Sequence, residues 1–255
     1  MASLPRSDLH ERLYTIARPG VYKGVIRGLQ AFRNARFKEF GAFLGNAMER
    51  NGDSGMTRLL LRGFDIRKGY LDGATQTALI EELRPILKAA PLFHPTTPSG
   101  RKMSVRMTSA GDLGWVSDKS GYRYQATHPK GLAWPAIPDR ILNIWRTVTQ
   151  AERDPDCCLI NYYGEGARMG LHQDKDEADF SWPVLSISLG DDALFRIGNT
   201  ARGGKTESIW LGSGDVVVMG GPARLTYHGV DRIRFGSSKL LPKGGRINLT
   251  LRVAH

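Results

Sequence analysis

Residues 171–177 read Leu171, His172, Gln173, Asp174, Lys175, Asp176, Glu177: a histidine and a carboxylate two positions apart, with two further acids behind them. In an extended segment, side chains at i and i+2 point to the same side. His172 and Asp174 can therefore share one face and hold one metal ion. A third ligand would complete two imidazoles and one carboxylate with open positions left on the ion, a donor set that suits non-haem Fe(II) and oxygen chemistry. The other histidines are His10, His94, His128, His228 and His255. His228 stands out because it lies in the run Leu225, Thr226, Tyr227, His228, Gly229, Val230, within a β-rich half where two facing sheets can bring it opposite His172.

A second set of residues could bind an acid. Over 246–253 the chain alternates, with Arg246, Asn248, Thr250 and Arg252 facing one way and Ile247, Leu249, Leu251 and Val253 the other. An ordinary half-buried strand gives its polar side to solvent. Two guanidiniums and an amide on one face can instead clamp a small dicarboxylate, because guanidinium pairs with carboxylate through two parallel hydrogen bonds. Asn161 and Tyr163 share a face in the same way and add an amide and a phenol. Together these donors suit both ends of a molecule such as 2-oxoglutarate.

The elements that must position these residues fall in two halves. A helix is expected over 76–89, with Leu79, Ile80, Leu83, Ile86 and Leu87 inward, Thr75 as its cap and Pro85 as a kink. A Pro/Thr/Gly loop over 95–100, a strand over 103–107 and a second helix over 138–152, with Ile141, Ile144, Trp145 and Val148 inward, follow. Short β runs then occupy 158–163, 168–174, 184–189, 193–197, 207–211, 216–219, 225–230 and 246–253. Helices first and about eight strands after them imply an α+β domain with a two-sheet, jelly-roll core.

Composition narrows the partner. The chain has 255 residues and a formal charge of +11, a surplus that favours an anionic partner, nucleic acid first and membrane surface second. No apolar run is long enough for a membrane span. Cys157 and Cys158 are adjacent in an apolar run, read as small core residues, and are too few for a cysteine zinc site. They fit a reducing, cytoplasmic setting. Residues 1–55 form a basic N-terminal extension with nine Lys or Arg against five acids. Leu29, Phe32, Arg36, Phe40, Phe43, Leu44 and Met48 fall near helical spacing there, which reads either as a basic amphipathic or targeting helix or as an accessory extension weakened by Gly41 and Gly45.

Several separated motifs carry a resemblance. Asn161-Tyr162-Tyr163-Gly164-Glu165-Gly166-Ala167-Arg168, the 171–177 run, Ser186-Ile187-Ser188-Leu189-Gly190, Ser213-Gly214-Asp215, Tyr227-His228-Gly229 and Arg246 to Arg252 resemble, in order and spacing, the bacterial AlkB family. The resemblance covers roughly residues 57–254. It implies an Fe(II)/2-oxoglutarate-dependent dioxygenase domain over 56–255, with a double-stranded β-helix core at about 157–254 and a nucleotide-recognition lid at about 100–135. It implies His172, Asp174 and His228 as iron ligands, and Asn161, Tyr163, Arg246, Asn248 and Arg252 as 2-oxoglutarate contacts. Arg246 would take the distal carboxylate; Asn161 and Arg252 would serve the iron-chelating end.

In the lid, Trp115 would stack on a flipped base, Tyr122 would touch the strand, and Arg123 and Tyr124 would join the substrate contacts. The Gly-rich, polar stretch 109–120 reads as an exposed loop. Asp176 would meet the exocyclic edge of the base, and Arg202 would help close the pocket. Arg123 departs from the apolar residue expected there, which bears on substrate preference. Lys175 reads as a solvated charge, and Glu177 has no role. The implied reaction is oxidative demethylation of 1-methyladenine or 3-methylcytosine type bases, with O2 and 2-oxoglutarate consumed and formaldehyde, succinate and CO2 released. A monomer acting on nucleic acid, single-stranded DNA before RNA, is expected. The alternatives are an iron/2-oxoglutarate hydroxylase of a protein or small molecule, and a non-catalytic nucleic-acid-binding module.

Overall fold

The alternation that marks the second half of the chain builds two facing sheets. The computed structural model describes residues 49–50 and 56–255; His10 and the helical spacing over 29–48 lie outside them. In chain order the elements are β1 (Glu49–Arg50), β2 (Thr57–Leu61), β3 (Phe64–Lys68), α1 (Gly73–Ala89), β4 (Arg106–Gly111), β5 (Gly114–Asp118), β6 (Gly121–Gln125) and α2 (Asp139–Thr149). After them come β7 (Cys157–Tyr163), β8 (Met169–His172), β9 (Val184–Gly190), β10 (Asp192–Ile197), β11 (Glu207–Leu211), β12 (Val216–Met219), β13 (His228–Arg234) and β14 (Arg246–Arg252).

The larger sheet runs β1-β2-β3-β12-β9-β14-β7-β4, and the smaller runs β11-β10-β13-β8. β5 and β6 form a separate antiparallel hairpin. Apolar residues on one side of the larger sheet, among them Ile160, Leu185, Ile187, Leu249 and Leu251, pack with Leu79, Leu83, Ile141 and Trp145 of the two helices. Residues on its other side, such as Phe64, Ile66, Leu159 and Val217, meet Phe195 and Ile197 of the smaller sheet. This is the jelly-roll core. The polar face of β14 looks into the space between the sheets rather than into solvent: Arg246, Thr250 and Arg252 are all buried. Among the described residues no helix is long and apolar enough to cross a membrane.

Several boundaries differ from the sequence reading. α1 starts three residues earlier than expected, at Gly73, because Asp72 rather than Thr75 is its cap: the Asp72 carboxylate accepts from the Thr75 amide at 2.7 Å. Pro85 lies inside the helix, between Leu83 and Ile86, which are both packed in the core. α2 spans 139–149 rather than 138–152. The strand expected over 103–107 forms at Arg106–Gly111. β8 ends at His172, and β13 begins only at His228.

The expected exposed loop over 109–120 is instead two strands with Ser109 and Ser117 buried. Its glycines serve close packing: a Cβ on Gly114 would sit 2.3 Å from Trp134 Cε2. Cys157 and Cys158 are fully buried, and burial pushes both thiols up, that of Cys157 to about 12. They are core residues, as read.

Gly190 ends β9 opposite Arg246 with φ +88°, and a Cβ there would lie 2.5 Å from the Gly245 carbonyl oxygen. Gly190→Ala is expected to cost about 2 kcal/mol or more, read as a lower urea midpoint at unchanged m-value. A midpoint equal to that of the native chain would show that the close approach is relieved at no cost.

Candidate active site

The inner face of the larger sheet presents its polar residues in rows. The register sets Arg246 opposite Tyr163 and Gly190, Asn248 opposite Asn161 and Ser188, and Thr250 opposite Leu159 and Ser186. Side chains of one parity from β7, β14 and β9 thus meet in the space between the sheets. They line a cavity of about 490 Å3 together with His172, Asp174 and His228.

His172 and His228 are directly paired across β8 and β13, with ring centroids 4.6 Å apart. Asp174 lies two residues past the end of β8, so the shared strand face expected for His172 and Asp174 does not form. The loop nevertheless turns the carboxylate between the imidazoles, 3.7 Å from His172 Nε2 and 3.8 Å from His228 Nε2. One donor atom from each of the three residues falls within 4.8 Å of the others.

Each histidine Nδ1 faces a backbone carbonyl, Gly170 at 2.9 Å and Thr226 at 3.0 Å. A carbonyl can only accept, so Nδ1 carries the proton and Nε2 is left with its lone pair toward Asp174. Burial pulls the His228 imidazole down to about 4, which keeps it neutral as ligation requires. Burial alone would raise the Asp174 carboxyl, but the adjacent Arg252 holds it well below the usual carboxylate range. Two imidazoles with Nε2 turned toward an ionised carboxylate fit a divalent iron.

The far side of the cavity fits an anion. Arg246 is 1% exposed; Nη1 donates to the carbonyls of Asp191 and Leu211 and Nη2 to Ser188 Oγ at 2.6 Å, while Nε has no partner. Among the described residues no carboxylate pairs with it, and burial draws the guanidinium down to about 10. A buried cation with no carboxylate in direct contact, and with Asp191, Asp192 and Asp215 acting on it only at longer range, is well placed to receive one. Tyr163 lies beside it, its phenol pushed up to about 12 by burial and hence a hydroxyl donor. Asn161 Oδ1 is buried with no partner. Asn248 is oriented from both ends, accepting from Ser186 Oγ and donating to Thr250 Oγ1.

Two residues make contacts that the sequence does not announce. Arg252 is engaged within the protein: Nη2 donates to Asp174 Oδ2 at 2.8 Å, and Nε lies 3.1 Å from Glu177 Oε1, within ion-pair reach but off the line of a hydrogen bond. Its Nη1 alone is left without a partner. Arg123 lies on the hairpin face turned away from the cavity, where it pairs with Asp118 at 2.8 Å and reaches Gln125. The reason is strand parity. Trp115, Tyr122 and Tyr124 share one face of the β5–β6 ribbon and line the cavity, so Arg123 must take the other.

Trp115 and Tyr122 stack with centroids 5.6 Å apart and planes 16° apart, and Trp115 Nε1 donates to Asp176 Oδ2 at 2.8 Å. Asp176 and Arg202 are at the cavity wall, and Lys175 is exposed there. His94 and His128 bond backbone carbonyls of Met103 and Pro91, and His255 packs edge-on to Tyr124.

Glu177 and Arg224 were missed by the sequence reading. Both are buried and joined at 3.0 Å, and Arg224 also donates to the Asp174 carbonyl at 2.6 Å. The available signal was the acid run itself: Asp174, Asp176 and Glu177 crowd four positions with only Lys175 between them, so cations must come from elsewhere.

The model of the 2OG-Fe(II) oxygenase superfamily matches residues 63–252. The chain is 54% identical over 193 residues to the "Alpha-ketoglutarate-dependent dioxygenase AlkB homolog" of Caulobacter vibrioides, covering 75% of this chain and 88% of that protein. It is 40% identical over 194 residues to "Alpha-ketoglutarate-dependent dioxygenase AlkB" of Escherichia coli, covering 74% and 88%. It is 30% identical over 223 residues to "DNA N(6)-methyladenine demethylase ALKBH1C" of Arabidopsis thaliana, covering 74% and 48%. The solved structure of OsALKBH1 superposes with a TM-score of 0.66 at 32% identity, covering 76% of this chain and 97% of that one.

Replacing Arg246 by Met removes the buried cation that, among the described residues, has no carboxylate in direct contact. 2-Oxoglutarate binding, titrated calorimetrically with Mn(II) present, is expected to weaken by about 2–5 kcal/mol. Affinity unchanged within twofold would take Arg246 out of the anion site.

Proposed function

We propose a substrate from the premise that the chain belongs to the AlkB family within the 2OG-Fe(II) oxygenase superfamily: an N-methylated base of the 1-methyladenine or 3-methylcytosine type, carried on a nucleic acid strand. The chain is an Fe(II)/2-oxoglutarate-dependent dioxygenase. Iron, O2 and 2-oxoglutarate supply the oxidation, with 2-oxoglutarate leaving as succinate and CO2 and the methyl carbon as formaldehyde. His172, Asp174 and His228 would hold the iron. Arg246, Tyr163, Asn161, Asn248 and the free Nη1 of Arg252 would hold the co-substrate.

The observation that carries the nucleic-acid reading is a second groove of about 1200 Å3 that opens from the cavity, with Met103, Met169, Arg202 and Tyr227 lining both. Among the described residues, Arg101, Arg168 and Arg202 are the exposed arginines set against neither a carboxylate nor an aromatic ring, and all three line this groove. Arg196 in the same wall is neutralised by Asp231. Uncompensated cations in a cleft focus positive potential where a phosphate chain would run.

Beside the groove, Trp115 and Tyr122 offer an aromatic platform for a base drawn out of its strand. Asp176 places a negative charge at that platform, which favours a base made cationic by methylation. The hairpin and cavity walls hold the methyl group in place and keep water away from it. The Arabidopsis relative, named as a DNA N(6)-methyladenine demethylase, supports an N-methylated base carried on DNA. Single-stranded DNA is the favoured form, because a base without a partner leaves its stack at least cost, and the chain is read as acting as a monomer.

The test is formaldehyde release from single-stranded DNA carrying 1-methyladenine, with RNA and duplex DNA of the same sequence as parallel arms. Formaldehyde equal to succinate is expected; 2-oxoglutarate consumption without formaldehyde from any arm would contradict the reading. Changing Arg101, Arg168 and Arg202 together to Gln is expected to flatten the plot of log affinity against log salt by about 2, roughly 0.7 for each phosphate that is no longer neutralised. An unchanged slope would remove the groove from the strand's path. Trp115→Ala should lower oligonucleotide turnover far more than 2-oxoglutarate consumption without substrate; equal losses would remove its stacking role.

A further inference from the structure

Glu177 closes a buried ring of charges with the proposed metal ligand. Its Oε2 accepts from Arg224 Nη2 at 3.0 Å, and its Oε1 lies 3.1 Å from Arg252 Nε. Arg252 Nη2 in turn holds Asp174 Oδ2 at 2.8 Å, and Arg224 Nη1 holds the Asp174 carbonyl at 2.6 Å. The four side chains are between 1% and 8% exposed. Two carboxylates and two guanidiniums make the ring neutral, the condition under which such charges can be buried together.

The same carboxylate also reaches the aromatic hairpin. Tyr124 Oη donates to Glu177 Oε1 at 2.6 Å, alongside the Trp115 bond to Asp176. Both ties from β5 and β6 therefore land on consecutive residues, two and three positions after Asp174. Burial pushes the Tyr124 phenol far above its ordinary range, so it stays a donor.

We propose that Glu177 is a positioning residue that registers the β5–β6 hairpin against the metal centre: through Arg252 and Arg224 it fixes Asp174, and through Tyr124 it fixes the height of the aromatic platform above it. Removing its charge leaves an uncompensated guanidinium beside a site that must accept a divalent cation, so metal affinity falls. Removing only the Tyr124 hydroxyl leaves the ring closed and frees the hairpin, so oxidation loses its coupling to the substrate. The coupling arm rests on the demethylation reading; the metal arm does not.

Mn(II) titration into the metal-free full-length protein, followed by calorimetry, tests the first arm. Glu177→Gln is expected to weaken Mn(II) binding about tenfold, the lower end of what partners of metal ligands contribute, with Glu177→Asp recovering part of it by restoring the charge. Arg140→Gln, which breaks the exposed pair with Glu82, is the control and should bind as the native chain does. For the second arm, Tyr124→Phe is expected to keep native Mn(II) affinity and to form several succinates for each formaldehyde released.

Native Mn(II) affinity in folded Glu177→Gln overturns the metal arm, and native stoichiometry in Tyr124→Phe overturns the hairpin arm. Should Glu177→Gln fail to fold, Arg224→Lys, which keeps the charge but loses the fork between Asp174 and Glu177, takes its place with the same expected loss and the same contrary result. If the native chain releases no formaldehyde, the substrate reading fails and the Mn(II) titration still decides the role of Glu177.

Discussion

Two arginines buried on the inner face of β14 govern the site. Placing Arg246 and Arg252 between the sheets removes two charges from water, a cost that the surrounding groups must offset. The chain answers the two differently. Arg252 is met by Asp174 and Glu177 from the loop after β8, so its charge is balanced within the protein and directed to orienting the carboxylate that lies between His172 and His228. Arg246 receives two carbonyls and a serine hydroxyl but no carboxylate. Its hydrogen bonds fix its direction, and the aspartates that act on it do so without direct contact. One strand thus supplies both the support for the proposed metal ligand and the proposed receptor for a small dianion.

The outer surroundings use charge in the opposite way. Around Asp174 every buried charge has a partner, and the site is held in one geometry. Along the adjoining groove, Arg101, Arg168 and Arg202 stand in solvent without counter-charges among the described residues, where their cost is small and their field reaches outward. The β5–β6 hairpin lies between these regimes. Its inner face carries aromatic rings to the cavity and is tied by hydrogen bonds to Asp176 and Glu177, while its outer face carries the Arg123–Asp118 pair.

The two-sheet core was legible from alternation, with polar residues at every second position of β14; the grouping of His172, Asp174 and His228 was legible from residue type and spacing, although the shared strand face assumed for His172 and Asp174 does not form. Which way the polar face of β14 looks was not legible from the strand itself, since a solvent-facing strand shows the same pattern. Arg123 was misplaced because hairpin parity depends on register, and one residue of offset moves a side chain to the other face. Gly114 was read as a loop signal although it makes room for the Trp134 ring. Glu177 could not be assigned because its partners Arg224 and Arg252 lie 47 and 75 positions away, and no local spacing announces such a contact.

If the inward charges are poised for a metal and a dicarboxylate together, the two ligands must stabilise the fold jointly. The direct measurement is thermal unfolding of the full-length protein alone, with Mn(II), with 2-oxoglutarate, and with both. Ligand at about a hundred times its dissociation constant adds about 2.7 kcal/mol, so the shifts are readable. A midpoint shift with both ligands that exceeds the sum of the separate shifts is the predicted result. No shift from the pair, or a 2-oxoglutarate shift that is the same with and without metal, would contradict it.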